Sequence, residues 1–137
     1  MLEFIMRQIV TKQFAVLEDY YEKNDEVGLN LELRFSANKE NRMIDASLLV
    51  KLLNIECPFL ILEVGCLFEI KQNSWDQFAR EENSIRIPKA VLCHLAMHAV
   101  GTARGVMHVK TEKTCFNCFI LPPVNVVELV TDDFLVV

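Results

Sequence analysis

The segment VGLNLELRFS, Val27 to Ser36, decides how the rest of the chain is read. Val27, Leu29, Leu31, Leu33 and Phe35 alternate with Gly28, Asn30, Glu32, Arg34 and Ser36. A period of two places every apolar side chain on one face of a half-buried strand. Such a face needs a core to rest on, so its partners are sought in the flanking chain.

On the C-terminal side, ANKENR (37–42) is a turn cluster, and Met43 to Leu53 resumes the alternation with Ile44, Ala46, Leu48, Val50 and Leu52 on one face. Leu49 and Leu53 make its other face partly apolar. Cys57 and Pro58 punctuate the chain, and FLILEVGCLFEI (59–70) then reads as a strand apolar on both faces. Gly65 within it marks a bulge or a close backbone approach. On the N-terminal side, the polar connection EDYYEKNDE (18–26) follows a segment in which Ile5, Ile9, Val10, Phe14 and Val16 keep a two-residue rhythm. That rhythm slips between Ile9 and Val10, so the strand is imperfect. The connections are too short for crossover helices, which makes the sheet antiparallel.

After Ile70 the pattern changes. SWDQFAREEN (74–83) reads as a short helix with Ser74 as N-cap, and a longer helix begins near Pro88. Val91, Leu92, Leu95, Ala96, Ala99, Ala103 and Val106 follow the 3.6-residue period, and Ala90, Ala96, Ala99 and Ala103 permit close packing. VVELVTDDFLVV (126–137) reads as a short terminal helix. The expected fold is α+β, a single domain over residues 1–137: a four-stranded antiparallel sheet packed with one long and one short C-terminal helix.

The composition agrees with one core. Of 137 residues, 52% are hydrophobic and 24% charged, which excludes disorder and leaves apolar surface for another chain or a ligand. A net charge of -5 argues against nucleic acid and anionic membranes as partners. Five unevenly spaced cysteines read as free thiols in a reducing cytoplasm. No apolar run reaches the ~20 residues of a membrane span, so no membrane insertion is expected.

TCFNCFILPPVN (114–125) raises the question of chemistry, because Cys115 and Cys118 form a Cys-x-x-Cys pair. A redox pair normally opens a helix, and no helical pattern precedes Asn125 here. His94 and His98, four apart on the long helix, would with the two cysteines make a His2Cys2 zinc set. Against it, Leu95 stands where a His-Glu-x-x-His motif has Glu, and residues three apart in an extended segment point to opposite faces. The packing reading is preferred: helix histidines, packing cysteines, and a connector stopped by Pro122 and Pro123. With no Gly-x-Ser-x-Gly or phosphate loop, no enzyme, cofactor or metal is expected.

Four antiparallel strands, a helix ending in Arg104 and Gly105, and the later Leu121, Pro122, Pro123, Val124 and Asn125 together resemble the SecB family of export chaperones. In that family a helix ends in Arg-Gly, and an apolar-Pro-Val-Asn motif introduces the C-terminal helix. GCLFEI is similar to the family's Gly-Gly-Ile-Phe-x-Ile segment at Gly65, Leu67, Phe68 and Ile70. The loop after Gly105 is longer than the family's, Ala96 to His98 replaces its Ala-Arg-Glu, and EDYYEKNDE is shorter than its crossover loop. The resemblance implies an ATP-independent chaperone that holds unfolded or precursor polypeptides for export, as a homo-tetramer built as a dimer of dimers. It implies a client groove, lined here by Tyr20, Tyr21, Phe68, Phe116, Phe119 and Val126, each of which a sheet domain could equally use as core. The translocation ATPase is a candidate partner, but the register around Glu63 is ambiguous and no contact residue is carried over. Two other readings stay open: a dedicated chaperone of one protein such as an antitoxin, and a zinc or thiol protein.

Overall fold

The alternating segments form β1 (Phe4–Val16), β2 (Val27–Asn38), β3 (Met43–Asn54) and β4 (Cys57–Ile70), one antiparallel sheet in the order β1-β4-β3-β2. The structure is a computed structural model that describes residues 1–23 and 25–137. Leu29, Leu31, Leu33 and Phe35 of β2 stand opposite Leu52, Val50, Leu48 and Ala46 of β3, so the apolar rows share one face. β4 is apolar on both faces because it lies between β1 and β3. The rhythm of β1 is broken by two register shifts, between Met6 and Gln8 and between Thr11 and Gln13. Each shift flips which residues face the core. Met6, Ile9, Thr11 and Phe14 therefore share a face with Phe68, Cys66, Val64 and Leu62, while Val10 stands on the other side opposite Gly65.

The β3–β4 turn falls on Ile55 and Glu56, at φ 46° and 67°, and Cys57 already belongs to β4. Two positive φ values in a two-residue loop are the backbone of a type I′ hairpin. Gly65 marks neither a bulge nor a close backbone approach; side chains crowd it instead. A Cβ there would lie 2.6 Å from Lys12 Cε and 3.0 Å from both Asp45 Oδ1 and Ser47 Oγ.

Three expectations beyond Ile70 are corrected. Only α1 (Gln72–Trp75) of the first short helix exists, and Ser74 lies inside it, its hydroxyl accepting the Glu3 N–H at 2.8 Å. Ala79–Glu81 is β5, which turns through Glu82 into β6 (Ser84–Ile87). Burial of Ile85 and Ile87 in alternation with Ser84 and Arg86 outweighs the helix propensity of Ala, Arg and Glu. The long helix α2 (Lys89–Thr111) starts immediately after Pro88, but runs through Gly105 to Thr111. Gly105 has no positive φ, and buried Met107 and Thr111 extend the apolar stripe, so nothing stops the helix at Arg-Gly. Last, only α3 (Val126–Leu129) of the terminal segment is helical. Phe134–Val136 forms β7, which pairs with β6 and sets Val136 against Ile85.

α2 lies across β3 and β4, with Ala96, Ala99 and Ala103 fully buried as their size allows. Asp133, just before β7, accepts the Lys89 N–H at 2.7 Å and ties the chain's last segment to the start of the helix. The edge strands are covered less: Leu29 of β2 is 39% exposed and Ile9 of β1 is 52% exposed.

Candidate functional site

The residues 17–26 must cross the ends of β4 and β3, because β1 and β2 are at opposite edges of the sheet. Two fixtures hold this crossing. The Leu17 N–H donates to the Phe59 carbonyl at 2.7 Å. The buried Asn54 side chain accepts the Glu22 N–H at 2.8 Å and donates to the Glu26 carbonyl at 3.1 Å. Between these, a one-turn 3-10 helix (Glu18–Tyr20) delivers Tyr21 onto the sheet. Asn24, within the EDYYEKNDE connection, lies outside the described residues.

On the other side of the cluster, Cys115–Cys118 also forms a 3-10 turn, in place of the extended segment expected. The Thr114 hydroxyl accepts the Phe116 N–H at 3.2 Å and caps it. Beyond Phe119 the chain is extended, because Pro122 and Pro123 supply no N–H and fix φ. Its carbonyls are met instead by Arg104, whose guanidinium donates to Leu121 O at 2.7 Å and to Pro122 O at 2.9 Å. Asn125 then caps α3, its side-chain oxygen accepting the Val127 N–H at 3.2 Å.

These two pieces of chain bring four rings together. Tyr21 lies 4.8 Å from Phe59, 5.1 Å from Phe116 and 6.0 Å from Phe119, centroid to centroid. Phe59 is itself 6.0 Å from Phe116 and 5.6 Å from Phe119. These pairs are edge-on or tilted, the arrangement that aromatic quadrupoles favour. Phe59 and Phe116 are buried and form a floor, whereas Tyr21 and Phe119 are half-buried and reach the surface. Tyr20, beside Tyr21 in sequence, is 54% exposed, and Val126 is buried at the start of α3.

Phe68 does not line a surface. It is fully buried on the core face of β4, 5.6 Å from Phe4 and 6.1 Å from His98. Sequence reasoning missed Phe59, lost inside an unbroken apolar run, and Asn54, whose only signal was its place immediately before a turn.

The zinc set is not assembled. His94 and His98 pack edge-on against Phe4 at 5.5 and 5.6 Å, near the start of α2. Cys115 and Cys118 lie past its other end, and the thirteen residue steps from His98 to Thr111 alone span about 20 Å of helix. Among the described residues no group of three His, Cys, Asp or Glu could hold a metal ion. No helix among them is long and apolar enough to cross a membrane.

The opposite face of the sheet is mixed, with ion pairs lying among apolar residues such as Val10, Leu49 and Leu67. Lys12 Nζ meets Asp45 Oδ2 at 2.6 Å above Gly65, and also bonds Ser47. Glu63 stands on this face opposite Gln13 and Leu49, 3.8 Å from Arg34, which settles its register.

No family model matches the sequence, and no curated protein matches it. A protein of unknown function from Streptococcus agalactiae aligns with 83% of this chain and 94% of its own, at 13% identity and a TM-score of 0.28. A SecB-like chaperone of Mycobacterium tuberculosis, solved in complex with a peptide from an antitoxin, aligns with 88% of this chain and 90% of its own. Their identity is 11% and the TM-score 0.54. With its four-stranded antiparallel sheet and single long helix, the chain has a SecB-like fold.

Proposed function

We propose that this chain is an ATP-independent chaperone that holds extended polypeptide. The observation that carries this reading is the aromatic cluster, in which Tyr21 and Phe119 stand half-exposed over a buried floor of Phe59 and Phe116. A client side chain laid against these rings gains burial worth about 25 cal/mol per Å² without any reaction being coupled to it. Several such weak sites on one oligomer would hold a long client by avidity.

A homo-oligomer, tetrameric in the family, suits the apolar flank where β1 and α2 meet. A cleft of about 500 Å³ is lined there by Thr11, Gly101, Gly105, Val106 and Val109. A Cβ added at Gly101 or Gly105 would meet nothing within 4 Å, which leaves room for another backbone on that side. Export of precursors, a cytoplasmic site of action and docking to the translocation ATPase belong to the same reading. Light scattering tests the assembly directly.

The test of holding is suppression of aggregation of a chemically denatured reporter. The wild-type chain should suppress it, and Tyr21→Ser/Phe119→Ser should lose most of that effect while keeping its far-UV circular dichroism. No suppression at a large excess of chain would remove general holding. A second reading, the dedicated chaperone of one protein, is favoured by the antitoxin peptide bound to the Mycobacterium tuberculosis neighbour. A pull-down returning a single partner in place of a broad set would select it.

A further inference from the structure

The thiols of Cys115 and Cys118 have no part in the holding function, yet the structure gives them a geometry that an extended chain would not. In a 3-10 helix residues i and i+3 are eclipsed, one turn of about 6 Å apart. That spacing lies inside the ~4.4–6.8 Å Cα separation that a disulfide accepts. The Cys118 thiol is folded back over the first cysteine, donating to the Cys115 carbonyl at 3.2 Å. Both residues are exposed, whereas Cys66 is fully buried and Cys93 half-buried.

The turn is also fixed from three sides. Thr114 caps the Phe116 N–H, and Phe116, between the two cysteines, is buried against Tyr21 and Phe59. Asn117 Nδ2 donates to the His108 carbonyl at 2.9 Å and to Thr111 Oγ1 at 3.2 Å, pinning the turn to the end of α2. A pair of accessible thiols held at disulfide spacing by an anchored turn loses little entropy when it closes.

We propose that Cys115 and Cys118 are a thiol–disulfide exchange site whose co-substrate is a low-molecular-weight disulfide of the glutathione type. One cysteine thiolate attacks the small disulfide, whose S–S bond breaks and releases one small thiolate, which takes up a proton. The second cysteine thiolate attacks the protein sulfur of the mixed disulfide, closing Cys115 to Cys118 and releasing the second small thiol. Two protein thiols lose two electrons and two protons, and the small disulfide gains them as two thiols. The closed bond encircles Phe116 and so stiffens the floor of the aromatic cluster.

The test is intact-mass analysis with peptide mapping after the reduced full-length chain is incubated with excess oxidised glutathione. The expected product has lost two hydrogens at Cys115 and Cys118 and retains no glutathione there. Cys115→Ser and Cys118→Ser should each stop at a stable glutathione adduct on the remaining cysteine, and Cys57→Ser should close as the wild type does. Amide exchange at Asn117 and Phe119 should slow several-fold in the closed form. The proposal is overturned if the wild type stays reduced or keeps glutathione on either cysteine, or if exchange at the turn does not change. These readouts do not involve a client, so they stand or fall separately from the holding function.

Discussion

Truncating Asn54 to alanine tests whether the crossing segment is held by one side chain. Asn54 is 4% exposed and serves two backbone groups four residues apart, the N–H of Glu22 and the carbonyl of Glu26. A neutral hydrogen bond contributes about 0.5–1.5 kcal/mol net, and a group left partly buried without a partner costs more than its bond was worth. Two such losses, softened because water reaches both groups in part, come to about 2–3 kcal/mol. For a chain of this size each kcal/mol moves Tm by roughly 3–5 °C, so Asn54→Ala should melt about 6–15 °C lower. Thermal unfolding followed by far-UV circular dichroism measures this. Asn54→Asp is the control, because it keeps the acceptor for Glu22 but turns a second oxygen towards the Glu26 carbonyl. It should therefore fail to restore the wild-type Tm. An unchanged Tm in Asn54→Ala, or full rescue by aspartate, would refute the clamp.

Gly65→Val should destabilise by at most about 1 kcal/mol, since its Cβ would meet Lys12 Cε at 2.6 Å and displace that flexible side chain from its pairing with Asp45. Chemical denaturation should show the cost shrinking in a Lys12→Ala background, where the obstructing side chain is absent. Replacing Ile55 and Glu56 by Asn and Gly should raise stability by about 1–2 kcal/mol, because both residues have positive φ and Ile55 is β-branched. The midpoint of urea unfolding reads this, and an unchanged or lower midpoint would show that the turn is unstrained. Arg86 holds the Glu81 carboxyl below the usual carboxylate range, through a hydrogen bond at 2.7 Å and its charge. A depressed carboxyl adds stability above the ordinary carboxylate range and loses it as pH falls through the folded-state value. Both groups are exposed, so the visible effect is the NMR titration of Glu81, which should return to the ordinary range in Arg86→Gln. Burial pushes the Cys66 thiol up, so a thiol reagent should reach it only on unfolding.

What the sequence disclosed followed from how strongly burial imposed a period. β2 and β3 could be read almost residue by residue because one face of each is more deeply buried than the other along most of its length. The start of α2 was legible from Pro88. The end of α2 was not, because glycine in a helix is costly but not forbidden, and Met107 and Thr111 outweigh it by packing. β5, β6 and β7 are three- and four-residue strands, too short to show a period, and Ala79–Glu81, exposed throughout, carried no signal of its own. For the aromatic cluster, Tyr21, Phe116 and Phe119 were legible as candidates, but their meeting over Phe59 depends on two connections crossing the same end of the sheet. No local pattern encodes that.

The way the cluster is held bears on how it could grip varied chains. Its floor is rigid: Phe59 comes from a central strand, and Phe116 is buried beneath the capped turn. Its two accessible rings, Tyr21 and Phe119, are carried on segments outside the sheet. Asn54 anchors the first to the hairpin end, and Arg104 anchors the second to α2 through the carbonyls of Leu121 and Pro122. Segments fixed by a few polar contacts open at lower free energy than strands fixed by a full ladder. Under the proposed holding function, the half-buried rings would shift to meet different side chains while the floor beneath keeps its shape. A surface of that kind gives up fine discrimination between clients and keeps the gain from burying apolar area, the combination that passive holding of loose polypeptide requires.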